Sequence, residues 1–164
     1  MQAFYASKLI KHGFWAMIVA LVGGFLLAFS MIGGVSLSPV PIMFEFELPG
    51  TTRGWRILHL GMLMNGIMAI VIGVAMNQFY LPTVKAFRVY AGSAIAVWGN
   101  FCFYLFGMFA ANHGLTVEAN RLGEGGLAAA AAYFPAILGA VTLMYACAIM
   151  AKAEPKGSSV AETE

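Results

Sequence analysis

Charge is scarce in this chain: Asp, Glu, Lys and Arg together make 10% of 164 residues, against roughly 25% in ordinary globular proteins. Hydrophobic residues make 61%, and the mean hydropathy is +0.83. So few charges leave too little polar surface to coat a water-soluble globule of this length. A cytoplasmic enzyme and a disordered chain are both excluded. Cysteine is almost absent as well. Cys102 and Cys147 lie inside apolar runs with no C-x-x-C pattern, which excludes a disulfide scaffold, a cysteine zinc site, an iron–sulfur cluster and a c-type haem attachment; both read as buried apolar thiols. A formal net charge of +2 with no basic patch argues against a nucleic-acid partner. No Walker loop, Gly-x-Ser-x-Gly elbow or His-Glu-x-x-His is found.

What the chain does have is long apolar runs. A membrane span needs about 20 mostly apolar residues, and four segments qualify: 13–32, 57–76, 89–109 and 127–150. Lipid offers backbone groups no hydrogen bonds, so each is expected to be a helix. The expected fold is an all-α integral membrane protein, a four-transmembrane-helix antiparallel bundle over residues 1–150. Pro135 falls inside the fourth span and predicts a kink. The first run is longer than a signal-peptide core and no A-x-A site follows it, so it reads as a retained span.

Lys8, Lys11, Lys85, Arg88, Lys152 and Lys156 fall at one end of this topology, and Arg53, Arg56 and Arg121 at the other. The positive-inside rule then puts both termini in the cytoplasm of a multi-pass inner-membrane protein, with the lipid bilayer as its solvent. The second connection reads as a plain turn. The first and third, of about 24 and 17 residues, lie together on the opposite face like a lid. Within the first, IMFEFEL alternates apolar and acidic residues and predicts a short strand. Residues 151–164 are polar and read as a disordered tail.

Polar side chains inside hydrocarbon each need a partner or a role. The second span offers His59 and Asn65, and the third offers Trp98, Asn100 and Tyr104. At 1.5 Å per residue His59 lies roughly 3 Å, Tyr104 roughly 8 Å and Asn65 about 12 Å beneath the lid side. Asn100 and Tyr104, four apart, share a helix face. Each has a plainer reading: a histidine near a span end can reach the headgroups, an asparagine can hydrogen-bond helices together, and a tyrosine can belong to an interfacial belt. Met62, Met64 and Met68 read as packing. A lone membrane imidazole suits haem b. Bis-histidine ligation would need a second ligand such as His113, since His12 is at the other face; with His59 alone the iron keeps an open position.

These residues also carry a family resemblance. The chain resembles the styrene oxide isomerases through Lys11-His12-Gly13, FEFELPGTTRGW in the first loop, HLGMLMNG at 59–66, WGNFCFYLF at 98–106 and NHGLT at 112–116. The His-x₅-Asn-Gly element alone is shared with hydroxylaminobenzene mutases. The chain departs from the family pattern at Met62, Leu63 and Ala96, and in the NHGLT loop, which more often reads Asn-Arg-Gly. The resemblance implies ferric haem b between subunits of a homotrimer, with His59 as axial ligand. Asn65 and Tyr104 match the residues that hold a small hydrophobic epoxide, and Trp98, Asn100, Phe101, Phe103 and Phe106 are expected to wall the pocket. The implied reaction is a Meinwald rearrangement of an aryl epoxide to an aldehyde. A hydroxylaminobenzene mutase-like isomerase and a non-enzymatic membrane b-type cytochrome remain as alternatives. Gly23, Gly24, Gly66 and Gly73 permit close helix contact without counting subunits.

Overall fold

A computed structural model describes residues 1–156. Four helices carry the chain: α1 (Gln2–Ile32), α2 (Thr52–Met76), α3 (Thr83–Gly107) and α4 (Leu127–Ala151). All four are long and apolar enough to cross a membrane. Short strands decorate their ends: β1 (Gly34–Ser36) pairs with β2 (Met43–Glu45), and β3 (Phe79–Tyr80) with β4 (Glu154–Pro155), both antiparallel. β2 is the strand expected in the acidic-apolar stretch of the first connection.

Three helices begin earlier than hydropathy alone sets them, at Gln2, Thr52 and Thr83. Hydropathy marks the part inside hydrocarbon, whereas backbone hydrogen bonding continues through the interfacial turns that carry Lys8, Lys11, Arg53, Arg56, Lys85 and Arg88, all exposed. The ends are set by local chemistry. Thr51 Oγ1 accepts from Gly54 N at 2.9 Å and opens α2. Pro82 stands at the entrance of α3, where a missing N–H costs nothing. Gly33, at φ 71°, closes α1 by donating to Phe29 O.

α1 packs on α2 and α3 on α4, and α3 joins the pairs by touching both α1 and α2. Contact is by small residues. A Cβ on Gly13 would sit 2.7 Å from Gly66 O, and one on Gly66 would sit 2.8 Å from Gly13 O. Gly23 meets Leu58 and Gly73 meets Ala6 and Ile10 in the same way. The glycines that sequence offered for subunit contact are thus engaged within the chain. α4 runs unbroken through Pro135, whose carbonyl lies against Gly99. Many large side chains of α1 and α4 face outward, among them Phe14, Trp15, Phe25, Phe134 and Met144. Lipid tails solvate such a surface at no hydrophobic cost. Cys147 belongs to that outer face and Cys102 is half-buried, so neither is the fully buried thiol expected from sequence.

At one end of the bundle Gln2 ties the N-terminus to the α2–α3 turn. Its side-chain amide donates to Met76 O and Phe79 O, and its Oε1 accepts from Leu81 N. The C-terminal segment joins the same end through β4, with Lys156 N donating to Gln78 O and Lys156 Nζ to Asn77 O, both at 2.9 Å. The start of the expected disordered tail is therefore paired, because the turn it follows offers free strand edges. Its remainder, 157–164, lies outside the described residues. The β1–β2 hairpin and the 108–126 loop occupy the other end.

Candidate functional site

α2 organises the site, because its polar residues leave it in two directions. An α-helix turns about 100° per residue, so His59 and Asn65 point roughly 120° apart. The face bearing Leu58, His59 and Gly66 meets α1; the face bearing Gly54, Gly61 and Asn65 meets α3.

On the first face, His59 Nδ1 lies 2.7 Å from Ala20 O. A carbonyl oxygen can only accept, so Nδ1 carries the proton and Nε2 keeps its lone pair. Nε2 has no hydrogen-bond partner among the described residues. Gly24 permits this seat: a Cβ there would lie 3.0 Å from His59 Cε1 and Nδ1. A half-buried imidazole held by an Nδ1–H···O=C bond, with Nε2 left uncommitted, has the donor set that would bind a haem iron. The residues present therefore fit haem b.

On the second face three side chains form one network. Asn65 Nδ2 donates to Gly61 O at 2.8 Å and to Tyr104 Oη at 3.3 Å, and Asn100 Nδ2 donates to Asn65 Oδ1 at 2.9 Å. The Gly61 carbonyl fixes the polarity of the whole chain. It can only accept, so the Asn65 amide must turn its NH₂ that way; Oδ1 then faces Asn100, which must donate. Tyr104 Oη is left as an acceptor from Asn65, with its own proton free for something else. The Tyr104 ring lies directly over Gly61, where any side chain would collide with it.

Tyr104 lines a cavity of about 240 Å³ between α2, α3 and the 108–126 loop, with Arg53, Gly54, Ile57, Phe103, Met108, His113 and Leu115 among its walls. That is below the roughly 300–1,000 Å³ of clefts for drug-sized ligands and suits a small one. Asn65 is 5% exposed and stands behind Tyr104 rather than on the cavity wall. Its expected direct hold on a ligand becomes, in this geometry, a hold on the tyrosine.

The expected pocket residues divide. Phe103 lines the cavity with Tyr104. Asn100 joins the network from behind. Trp98 turns to α1 instead, its Nε1 donating to His12 Nδ1 at 3.0 Å, while His12 Nε2 lies 3.3 Å from Tyr90 Oη. Phe101 packs beside Trp98, and Phe106 faces outward. Trp98 precedes Tyr104 by a spacing that rotates it roughly 120° away, so helical geometry accounts for the separation.

Sequence reasoning missed the loop's contribution. Asn112 is fully buried; its Nδ2 donates to Thr116 O at 2.8 Å and Glu118 O at 3.0 Å, and its Oδ1 accepts from Gly114 N at 3.0 Å. That scaffold holds His113 at φ 58° on the cavity wall. The Asn-His-Gly triplet is the signal, since Asn folds back on its own backbone and Gly accepts φ > 0. Ile57, which shares the cavity with His113, leaves α2 on the side opposite His59. Within one chain His59 and His113 thus lie on different sides of α2.

Residues 5–154 match the family described as styrene oxide isomerase. A curated relative, the styrene-oxide isomerase of Pseudomonas fluorescens, is 31% identical over 148 residues, covering 89% of this chain and 86% of that protein.

Proposed function

The chain belongs to the styrene oxide isomerase family of isomerases, and from that premise we propose that it rearranges aryl epoxides to aryl acetaldehydes inside the membrane. The observation that carries this reading is Tyr104, its hydroxyl held as an acceptor by Asn65 and its side chain lining a small, mostly apolar cavity.

His59 holds ferric haem b through Nε2 in this reading, with Nδ1 steadied by Ala20 O. When bound, that haem supplies a Lewis-acidic iron for the epoxide oxygen, with no net redox change. Tyr104 donates a hydrogen bond to the same oxygen, which gains negative charge as the benzylic C–O bond breaks. The substrate's aryl ring bears the resulting positive charge. A hydride then moves from the terminal carbon to the benzylic carbon, and the terminal carbon becomes the aldehyde. Phe103, Met108, Ile57 and Leu115 keep out the water that would capture the cation as a diol. Asn65 and Asn100 keep the tyrosine in its donating role.

Two copies complete the site. His59 lies on the α1 side of α2 and Tyr104 on the α3 side, so a haem held by His59 of one copy would reach Tyr104 of a neighbouring copy. A heterologous contact of this kind closes into a ring when its rotation is a whole fraction of a turn, and a third of a turn would give a homotrimer with haem at each interface. The end bearing Lys8, Lys11, Lys85, Arg88, Lys152 and Lys156 is the cytoplasmic one, with the bundle in a bacterial inner membrane.

Membranes carrying the protein are expected to turn styrene oxide into phenylacetaldehyde. Substrate with both terminal hydrogens replaced by deuterium is expected to keep both labels, one on the aldehyde carbon and one on the benzylic carbon. Mass spectrometry of the product reads this directly. Exchange of the migrating label with water would contradict an intramolecular hydride shift, and turnover confined to N-aryl hydroxylamines would replace the reading with that of a mutase.

A further inference from the structure

We propose that Asn100 is a positioning residue whose side-chain N–H reinforces the direction of the Tyr104 hydrogen bond that the Gly61 carbonyl sets; this rests on the functional reading above. The Asn65 amide has two orientations. In the one observed, Asn100 Nδ2 donates to Oδ1 at 2.9 Å, and the NH₂ is shared between Gly61 O and Tyr104 Oη. In the reverse orientation Oδ1 would face Gly61 O and accept the Tyr104 proton, withdrawing it from the cavity. Gly61 and Asn100 hold the same orientation from opposite sides: one carbonyl that can only accept, and one amide turned to donate. Asn65 is buried between helices and Asn100 and Tyr104 are half-buried beside it, so an unmatched pair of acceptors there is costly.

Asn100→Asp tests this because it keeps shape while making the donor conditional. An ionised carboxylate at position 100 only accepts. It draws the Asn65 NH₂ toward itself, and the Tyr104 proton swings to Asn65 Oδ1. A protonated carboxyl donates and restores the original order. The surroundings are simple enough to read the titration. Spans 13–32, 57–76, 89–107 and 127–151 contain no Asp, Glu, Lys or Arg. α2 brings Gly61 and Asn65 to this level and α4 brings Pro135 and Gly139; the titratable groups on the packed helices are Tyr104 and the free thiol Cys102 of α3, His59 of α2, Tyr133 of α4 and His12 of α1 at Trp98.

The expected result is a pH profile. With the carboxyl ionised, Asn100→Asp turns over styrene oxide at least about tenfold more slowly than the unaltered protein, a part of the 10²–10³ associated with one lost oxyanion donor. The loss falls on kcat rather than KM, and it is recovered as pH falls and the acid protonates. The unaltered protein lacks that limb. A second readout needs no turnover: the ¹³C–O stretch of labelled tyrosine, assigned to Tyr104 by subtracting the spectrum of Tyr104→Phe. It is expected to shift in Asn100→Asp at high pH and return at low pH. Full activity of Asn100→Asp at every pH, or a pH-independent loss with an unmoved Tyr104 band, would overturn the proposal. If the unaltered protein turns over no aryl epoxide, the functional reading fails by itself, and the vibrational comparison still decides what Asn100 does.

Discussion

Replacing His59 by Ala is expected to leave the detergent-purified protein without a Soret band and without measurable epoxide turnover, a loss of more than about 100-fold. The bonding of the ring carries this expectation. Nδ1 is committed to Ala20 O, which fixes the tautomer and leaves Nε2 as the nitrogen that can ligate. Groups that merely steady a metal ligand are already worth about 10–100-fold in affinity, so removing the ligand itself costs more. The substitution is mild for the fold, because His59 is only half-buried. Absorbance after expression with ample haem, with helix content checked by circular dichroism, reads the result. A full Soret band in His59→Ala would remove this residue as the ligand.

Replacing Tyr104 by Phe is expected to lower kcat by about 100–1,000-fold with haem content unchanged, the range found when one donor to a developing oxyanion is deleted. Ring packing on Gly61 survives, since the phenyl ring is retained. What disappears is the one hydroxyl that joins the Asn65–Asn100 pair to the cavity wall. KM is expected to move little, because the bond strengthens as the C–O bond opens. Steady-state kinetics on styrene oxide check this. Unchanged kcat would take Tyr104 out of the mechanism and leave the network a packing device.

The spans were legible in the sequence because hydropathy reports directly on the lipid-facing length of each helix. The helix starts were not, since the polar turns around Lys8, Arg53 and Lys85 hydrogen-bond as a helix whether or not they sit in hydrocarbon. That Asn100 and Tyr104 share a face, where both meet Asn65, followed from their spacing of four. The same arithmetic separates Trp98 from Tyr104 and His59 from Asn65, yet shared depth drew them into one expected cluster. Depth alone does not specify a face. Asn112 could be read only as a turn former, because its buried bonds to Thr116 and Glu118 depend on how the loop folds over α3. The fate of Gly66 and Gly73 was likewise open, since a small residue does not say whether its partner helix belongs to the same chain.

The central claim is that each site takes His59 from one copy and Tyr104 from another, and co-expression of His59→Ala with Tyr104→Phe tests it most directly. Each variant alone is nearly inactive. In randomly mixed rings roughly one interface in four joins an intact His59 to an intact Tyr104, so about a quarter of the unaltered activity is expected to return. Tandem purification on two different tags confirms that the assemblies are mixed. Mixed assemblies no more active than the better of the two variants would contradict the account and return the whole site to a single chain.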